Sequence, residues 1–370
     1  MESKKILLFL SFNWLLLSVS FAQSGSNFKW WNPVNNPFPV IEGQGWPGEL
    51  QAPYDRLPAK AEKMVRSPVW DLSRHSAGLL MRFTSDASEI TVRYVLTASE
   101  EYGFPHMPAT GVSGVDLYGL KPDGEWLWGI AKYSFGDTIV YRYTNLDKQP
   151  LKEYRLYLPL YNNVEWLEIG VPSEDSFTPL PVRPEMPIVI YGTSITQGGC
   201  ASRPGMAWTS MVERNLNTPV INLGFSGEGK LDDEVIDLIV ELDAKLFILD
   251  NLPNLDDFPD EEIHQRIIKA VKKIRAEHPS APILLVDNPG AAIGSVNSSH
   301  LKSYKKVNRV LDAAFLQMNQ AGVKNLYRLT SSDIGFDEYS TVDGSHPTDL
   351  GMRQYAVAFE KMIKSILKTN

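Results

Sequence analysis

"TPLPVRPEMP", residues 178–187, runs straight into "IVIYG", residues 188–192, and divides the chain into two grammars. Upstream stand short alternating or β-branched runs broken by Gly, Pro and Asp: "GLLMRFT" (78–84), "EITVRYVL" (89–96), "DTIVYRYT" (137–144), "KEYRLYLPL" (152–160) and "VEWLEIGV" (164–171). Side chains alternate between the two faces of a strand, so many such runs at close spacing predict an all-β sandwich or jelly roll. Downstream, "IVIYG", "PVINLGF", "KLFILD", "APILLVDN" and "KNLYRL" alternate with long amphipathic segments. In "DEEIHQRIIKAVKKIRAEH" (260–278), Ile263, Ile267, Ile268, Val271 and Ile274 recur at helical spacing, with acidic residues in the first turn. Strands alternating with helices predict βαβ units, hence an α/β half whose parallel sheet is covered on both faces. The expected organisation is a β-sandwich over residues 23–180, a Pro-rich hinge, and an α/β domain over 181–370.

A chain of 370 residues exceeds what one core fills, in keeping with two domains. Net charge is −8 and no basic run is present, so the electrostatic footprint of nucleic-acid binding is missing. Lys4 and Lys5 precede an apolar run that ends in Ser20-Phe21-Ala22, the pattern of a cleaved export signal over residues 1–22. Asn13 splits that run and leaves it short of the ~20 apolar residues a membrane span needs. The expected location is therefore periplasmic or secreted, without integral membrane association. Cys200 is the single cysteine, which excludes an intramolecular disulfide and leaves a packed small residue as its expected role.

Open parallel sheets bind ligands beyond the carboxyl ends of their strands, so the residues just after each apolar run are the ones to inspect. They are "YGTSITQGG" (191–199) with Ser194, "NLGFSGEG" (222–229) with Gly227, "DNLPN" (250–254), and "DGSHPTDLG" (343–351) ahead of the last helix. Singly, each reads as a helix cap or a turn. Together they bring a hydroxyl, a small residue with a free N–H, an amide and an Asp/His pair to one sheet edge.

His264, His278 and His300 fall on or beside amphipathic helices, and His75 and His106 belong to the β-rich half. His346 alone stands at a loop-helix junction of the α/β half. Pro347 is expected to open the final helix and to hold His346 extended at its mouth, with Asp343 one turn upstream to fix the imidazole tautomer. Ser194 is the candidate nucleophile for this pair. The nucleophile elbow G-x-S-x-G is not met, because Thr196 follows Ile195. No H-E-x-x-H or clustered histidines are present, and neither a metal nor another cofactor is expected.

"GTSITQG", "NLGFSG", "DNLPN" and "DGSH", in this order, resemble blocks one, two, three and five of the SGNH/GDSL esterase-lipase superfamily. "GVDLY" (114–118) is similar to the motif that names the β-rich domain preceding some of these hydrolases, so the resemblance spans nearly the whole mature chain. It implies a flavodoxin-like α/β/α hydrolase domain after the sandwich, with Ser194 as nucleophile, His346 as base and Asp343 as its partner. It also implies an oxyanion hole made of the Ser194 and Gly227 N–H groups and the Asn254 side-chain amide. Block one reads Gly-Thr-Ser where the family has Gly-Asp-Ser, and block three offers Pro253-Asn254-Leu255, so Asn251 stands as the alternative donor. Resemblance to two-domain carbohydrate esterases makes an O-acetyl group on a polysaccharide the expected substrate. The alternatives are a lipid esterase or acyltransferase with the same triad, or a non-catalytic carbohydrate-binding protein using Trp30, Trp31, Trp46, Trp126 or Trp128 to stack on sugars.

Overall fold

A computed structural model describes residues 27–97, 102–147, 152–290, 296 and 298–369, and the expected export segment, 1–22, lies outside the described residues. The first half forms strands β1 (Phe28–Trp31), β2 (Ile41–Glu42), β3 (Leu80–Ser85), β4 (Glu89–Leu96), β5 (Asp116–Leu120), β6 (Trp126–Trp128), β7 (Ala131–Ser134), β8 (Ile139–Thr144), β9 (Lys152–Tyr157), β10 (Val164–Pro172) and β11 (Phe177–Pro179). They pair antiparallel in the orders β1-β10-β4-β8-β7 and β11-β3-β9-β5-β6, with β2 beside β3. Phe83, Leu117 and Leu156 of the second sheet share one buried cluster with Ile90, Tyr141 and Ile169 of the first. Alternate side chains of both sheets thus meet in a common core, which is the packing of a sandwich.

The second half is a parallel sheet of β12 (Ile188–Gly192), β13 (Val220–Gly224), β14 (Leu246–Asp250), β15 (Ile283–Val286) and β16 (Leu326–Leu329), in the order β13-β12-β14-β15-β16. This is the flavodoxin-like order, in which the winding reverses beside the first strand and opens a crevice at the carboxyl ends. Helices α1 (Ser67–Ser73) and α2 (Ala109–Val112) lie in the β-rich half; α3 (Ser194–Gln197), α4 (Trp208–Leu216), α5 (Asp233–Ile239), α6 (Asp260–Glu277), α7 (Ser298–Gln320), α8 (Ser331–Ile334) and α9 (Asp349–Thr369) follow in the other. Val189 and Tyr191 face the side covered by α5, α6 and α7, while Ile188 and Ile190 face α4 and α9. That is the period of two expected of a strand buried on both faces.

The β-rich half also packs on this sheet. Trp46, Leu57, Val69 and Trp70 join the core around Tyr191, and Ala77, Met107, Val112 and Leu160 join the opposite one. The Pro-rich stretch, expected to be a hinge, is a fixed strap. Leu180 N–H donates to the Arg82 carbonyl (2.9 Å), Val182 N–H to that of Pro39 (3.1 Å), and Arg183 pairs with Glu42 and Glu213. Its prolines hold the backbone extended, and the N–H groups between them still reach neighbouring carbonyls.

Candidate active site

β12 ends at Gly192, and Thr193 caps the one-turn helix α3 by accepting the Ile195 N–H on its hydroxyl (3.3 Å). Ser194 is therefore the first residue of a helix, with its hydroxyl released from capping, in a place where helical geometry leaves N–H groups unpaired. Ser194 Oγ lies 2.8 Å from His346 Nε2, and His346 Nδ1 lies 2.7 Å from Asp343 Oδ2. A carboxylate only accepts, so Nδ1 carries the proton and Nε2 is left to accept from the serine. Asp343 Oδ1 accepts the backbone N–H groups of His346 (2.8 Å) and Ser345 (3.0 Å). Partial burial acts to raise the Asp343 pKa, but the His346 backbone and ring and the Ser345 N–H outweigh it and hold the carboxyl below the usual range.

Pro347 corrects an expectation. It does not open the last helix but closes a small hairpin, bridged antiparallel to Thr341, in which Val342 N–H donates to the His346 carbonyl (2.8 Å). α9 starts at Asp349, where Thr348 accepts the Gly351 N–H on its hydroxyl (3.2 Å). Proline has no N–H to give, yet its extended backbone suits a bridge as well as a helix start. Asp343 is thus fixed by its own loop and caps no helix.

The loops after β13 and β14 meet the same edge. Gly227 takes the left-handed conformation (φ 72°), and a side chain there would project into open space. Its neighbour Ser226 donates its N–H to Gln197 Oε1 of α3 (3.0 Å). Gly229 is held from both sides: its N–H donates to Asn254 Oδ1 (3.1 Å) and its carbonyl accepts from Asn251 Nδ2 (3.0 Å). This distinguishes the two asparagines. Asn251 is buried and commits one of its two amide N–H donors to Gly229, whereas Asn254 is anchored through its oxygen and keeps both Nδ2 donors available.

Several residues near the serine carry no signal in the sequence. Gln197 Nε2 donates to the Leu160 carbonyl (3.0 Å) and to His75 Nδ1 (3.1 Å). Burial, and then the Arg56 charge, push the His75 pKa down to about 3, so its ring is neutral and Nδ1 accepts. Tyr161 donates its hydroxyl to the Ser194 carbonyl (3.3 Å), and Asp250 accepts from Thr196 Oγ1 and the Tyr355 hydroxyl (both 2.9 Å). The exposed His106 ring stacks on Phe104 and stands 6.1 Å from the His346 ring, centroid to centroid. Burial and the nearby Asp343 charge push the Cys200 thiol up to about 12, which keeps it protonated. Among the described residues no group of three or more His, Cys, Asp or Glu is placed to hold a metal ion.

Fold and site geometry point to one class, and the comparisons agree: the chain belongs to the GDSL-like lipase/acylhydrolase family, whose model matches residues 185–364. Residues 28–177 match the GxDLY family, the N-terminus of SGNH-hydrolase-type esterases. The chain is thus a carboxylic ester hydrolase. A GDSL-like lipase from Bacteroides ovatus is 31% identical, with 92% of this chain and 98% of that one covered and a TM-score of 0.84. The salicylyl-acyltransferase SsfX3 of a tetracycline biosynthetic pathway shares the fold at 18% identity (TM-score 0.71; 92% and 97% covered). So does a family two carbohydrate esterase from Cellvibrio japonicus at 12% identity (TM-score 0.56; 92% and 98% covered). No curated protein matches the chain.

Proposed function

We propose that the protein is an exported serine esterase that removes O-acetyl groups from a carbohydrate through an acyl-serine intermediate. The observation that carries this is the relay from Ser194 Oγ to His346 Nε2 (2.8 Å) and from His346 Nδ1 to Asp343 (2.7 Å). Ser194 Oγ attacks the ester carbonyl carbon while its proton passes to Nε2, because a serine hydroxyl is a weak nucleophile without a base. The carbonyl oxygen becomes an oxyanion, received by the Ser194 and Gly227 N–H groups and by Asn254 Nδ2. Fixed donors aimed at such developing charge usually supply the largest single catalytic contribution. Collapse breaks the bond to the sugar oxygen, which takes the proton from Nε2. Water then gives a proton to His346 as it attacks the acetyl-serine, and acetate leaves with Ser194 restored.

Carbohydrate as the alcohol is supported by the fold shared with the Cellvibrio japonicus esterase and, at 12% identity and a TM-score of 0.52, with an acetyl xylan esterase (Est2A) from Butyrivibrio proteoclasticus. Export is supported by Lys4, Lys5, the apolar run and the Ser20-Phe21-Ala22 ending. The test is acetate release from acetylated xylan and glucomannan by the mature protein. Release by the wild type and a loss of roughly 10³-fold or more in kcat for a folded Ser194→Ala variant is the expected result. Undiminished turnover in that variant would sink the proposal. Transfer of the acetyl group to an added sugar alcohol in place of water would reassign the enzyme as an acyltransferase.

A further inference from the structure

Beside the loop that leaves α3, a cavity of about 400 Å³ opens between the sandwich and the hydrolase half. We propose that it is a subsite for an uncharged sugar residue of the glycan whose ester is cut at Ser194; this deepens the carbohydrate reading and rests on it.

The lining has the two-sided chemistry of a pyranose. Trp128 (46% exposed) and Tyr133 (54% exposed) present aromatic faces to which the C–H face of a sugar ring can pack, with Ile130 (71% exposed) at the rim. These exposed apolar groups are gathered where the chain passes from β6 in one sheet to β7 in the other, and a clustered patch of that kind marks an interaction surface. Behind them stand Asp116 and Arg203, joined at 2.6 Å. Asp116 Oδ1 accepts only from Trp128 Nε1 (2.7 Å), so one lone pair remains, and Arg203 donates from Nη1 to Asp116 and Tyr118 and has its other nitrogens available. The pair is neutral overall, which suits hydroxyl groups better than an anion.

Tyr141 adds its ring to the wall of the cavity and is 4% exposed. The walls are also preorganised. Arg203 lies over the Trp128 ring at 4.1 Å, and Tyr133 stacks on Tyr141 at 5.1 Å between centroids.

The cavity is tied to the serine by the chain itself. Ser202 and Arg203 line it and follow Ser194 by eight and nine residues, which bounds their separation from the nucleophile at about 30 Å. That loop is held by Thr110 Oγ1, donating to the Ser202 carbonyl (2.7 Å), and by Asp349, accepting from the Ser202 N–H (2.9 Å). One extended oligosaccharide can therefore reach both places.

The test is calorimetric binding of xylohexaose and cellohexaose, which carry no acyl group, to the Ser194→Ala protein. Because no ester is cut, the outcome is separable from the esterase reading. Binding of at least one probe is expected, weakened about tenfold or more by Tyr133→Ala and by Trp128→Ala, the size of one lost aromatic contact. Leu316→Ala, an exposed residue of α7 that does not line the cavity, should leave affinity unchanged and serves as the control. Tyr133 is exposed, so its variant keeps the test readable even if Trp128→Ala unfolds. Absence of binding to either probe, or equal affinity in the Tyr133→Ala protein, would overturn the subsite while leaving hydrolysis at Ser194 untouched.

Discussion

Asn251 and Asn254 sit one short turn apart after β14 and hold the two ends of Gly229, yet their amides have different duties. Asn254→Ala is expected to lower kcat by roughly 10²–10³, the usual loss for one oxyanion donor. Asn254→Asp, which keeps an acceptor for Gly229 but deletes the donor, should be as damaging. Asn251→Ala instead leaves the Gly229 carbonyl unpaired in a buried place, which costs about 1–3 kcal/mol of stability with smaller effect on turnover. Steady-state kinetics and thermal melting of the three variants check the assignment, and a reversed pattern moves the donor to Asn251.

Helix α3 is a single turn, too short to hold its shape unaided, so the position of Ser194 is set by what grips the helix. Gln197 is bonded to Ser226, Leu160 and His75, Thr196 to Asp250, and the Ile195 carbonyl accepts from Trp208 Nε1 (3.1 Å). The neutral His75 makes this grip sensitive to acid. Its pKa falls from about 6.5 in the unfolded chain to about 3 in the fold, so it contributes stability that is fully present above pH ~6.5 and lost as pH falls toward 3. Asp55 and Asp250, which burial pushes up to about 6, act in the opposite sense: their effect favours the fold at low pH and fades as pH rises through that value. His75→Gln, which still offers Gln197 an acceptor, should therefore lose less stability than the wild type between pH 7 and about pH 4.5. Melting curves at both pH values decide it; equal losses in the two proteins mean that His75 is not held neutral.

The two halves are joined by buried charge as well as by apolar surface. Glu213 of α4 accepts from Arg155 of β9 (2.6 Å), from the Tyr157 hydroxyl and from Arg183 of the Pro-rich strap, and Arg183 also pairs with Glu42 of β2. Glu213 and Arg155 are almost wholly enclosed. Removing one member of such a group leaves the others charged and unpaired, at a cost of about 3–5 kcal/mol. Glu213→Ala should lower the melting temperature accordingly, and calorimetry should show the halves unfolding together, because each half buries the other's core residues. Two separate transitions in the wild type would contradict this coupling.

The local patterns in the sequence determined a great deal. The runs at 89–96 and 188–192 became β4 and β12, and the amphipathic stretch from Asp260 became α6 over Asp260–Glu277, because period and end chemistry are properties of neighbouring residues. Ser194, Asp343 and His346 were legible for the same reason: each follows a recognisable local signal at the carboxyl edge of the sheet. Only the tertiary structure decided that Pro347 closes a hairpin, that the Pro-rich stretch is a strap, and that Asn254 keeps both amide donors where Asn251 commits one. It alone brought His75 onto Gln197, 122 residues away, and His106 beside His346. No periodicity encodes such contacts; they follow from the packing of the sandwich against both faces of the parallel sheet, which puts side chains from distant strands around one serine.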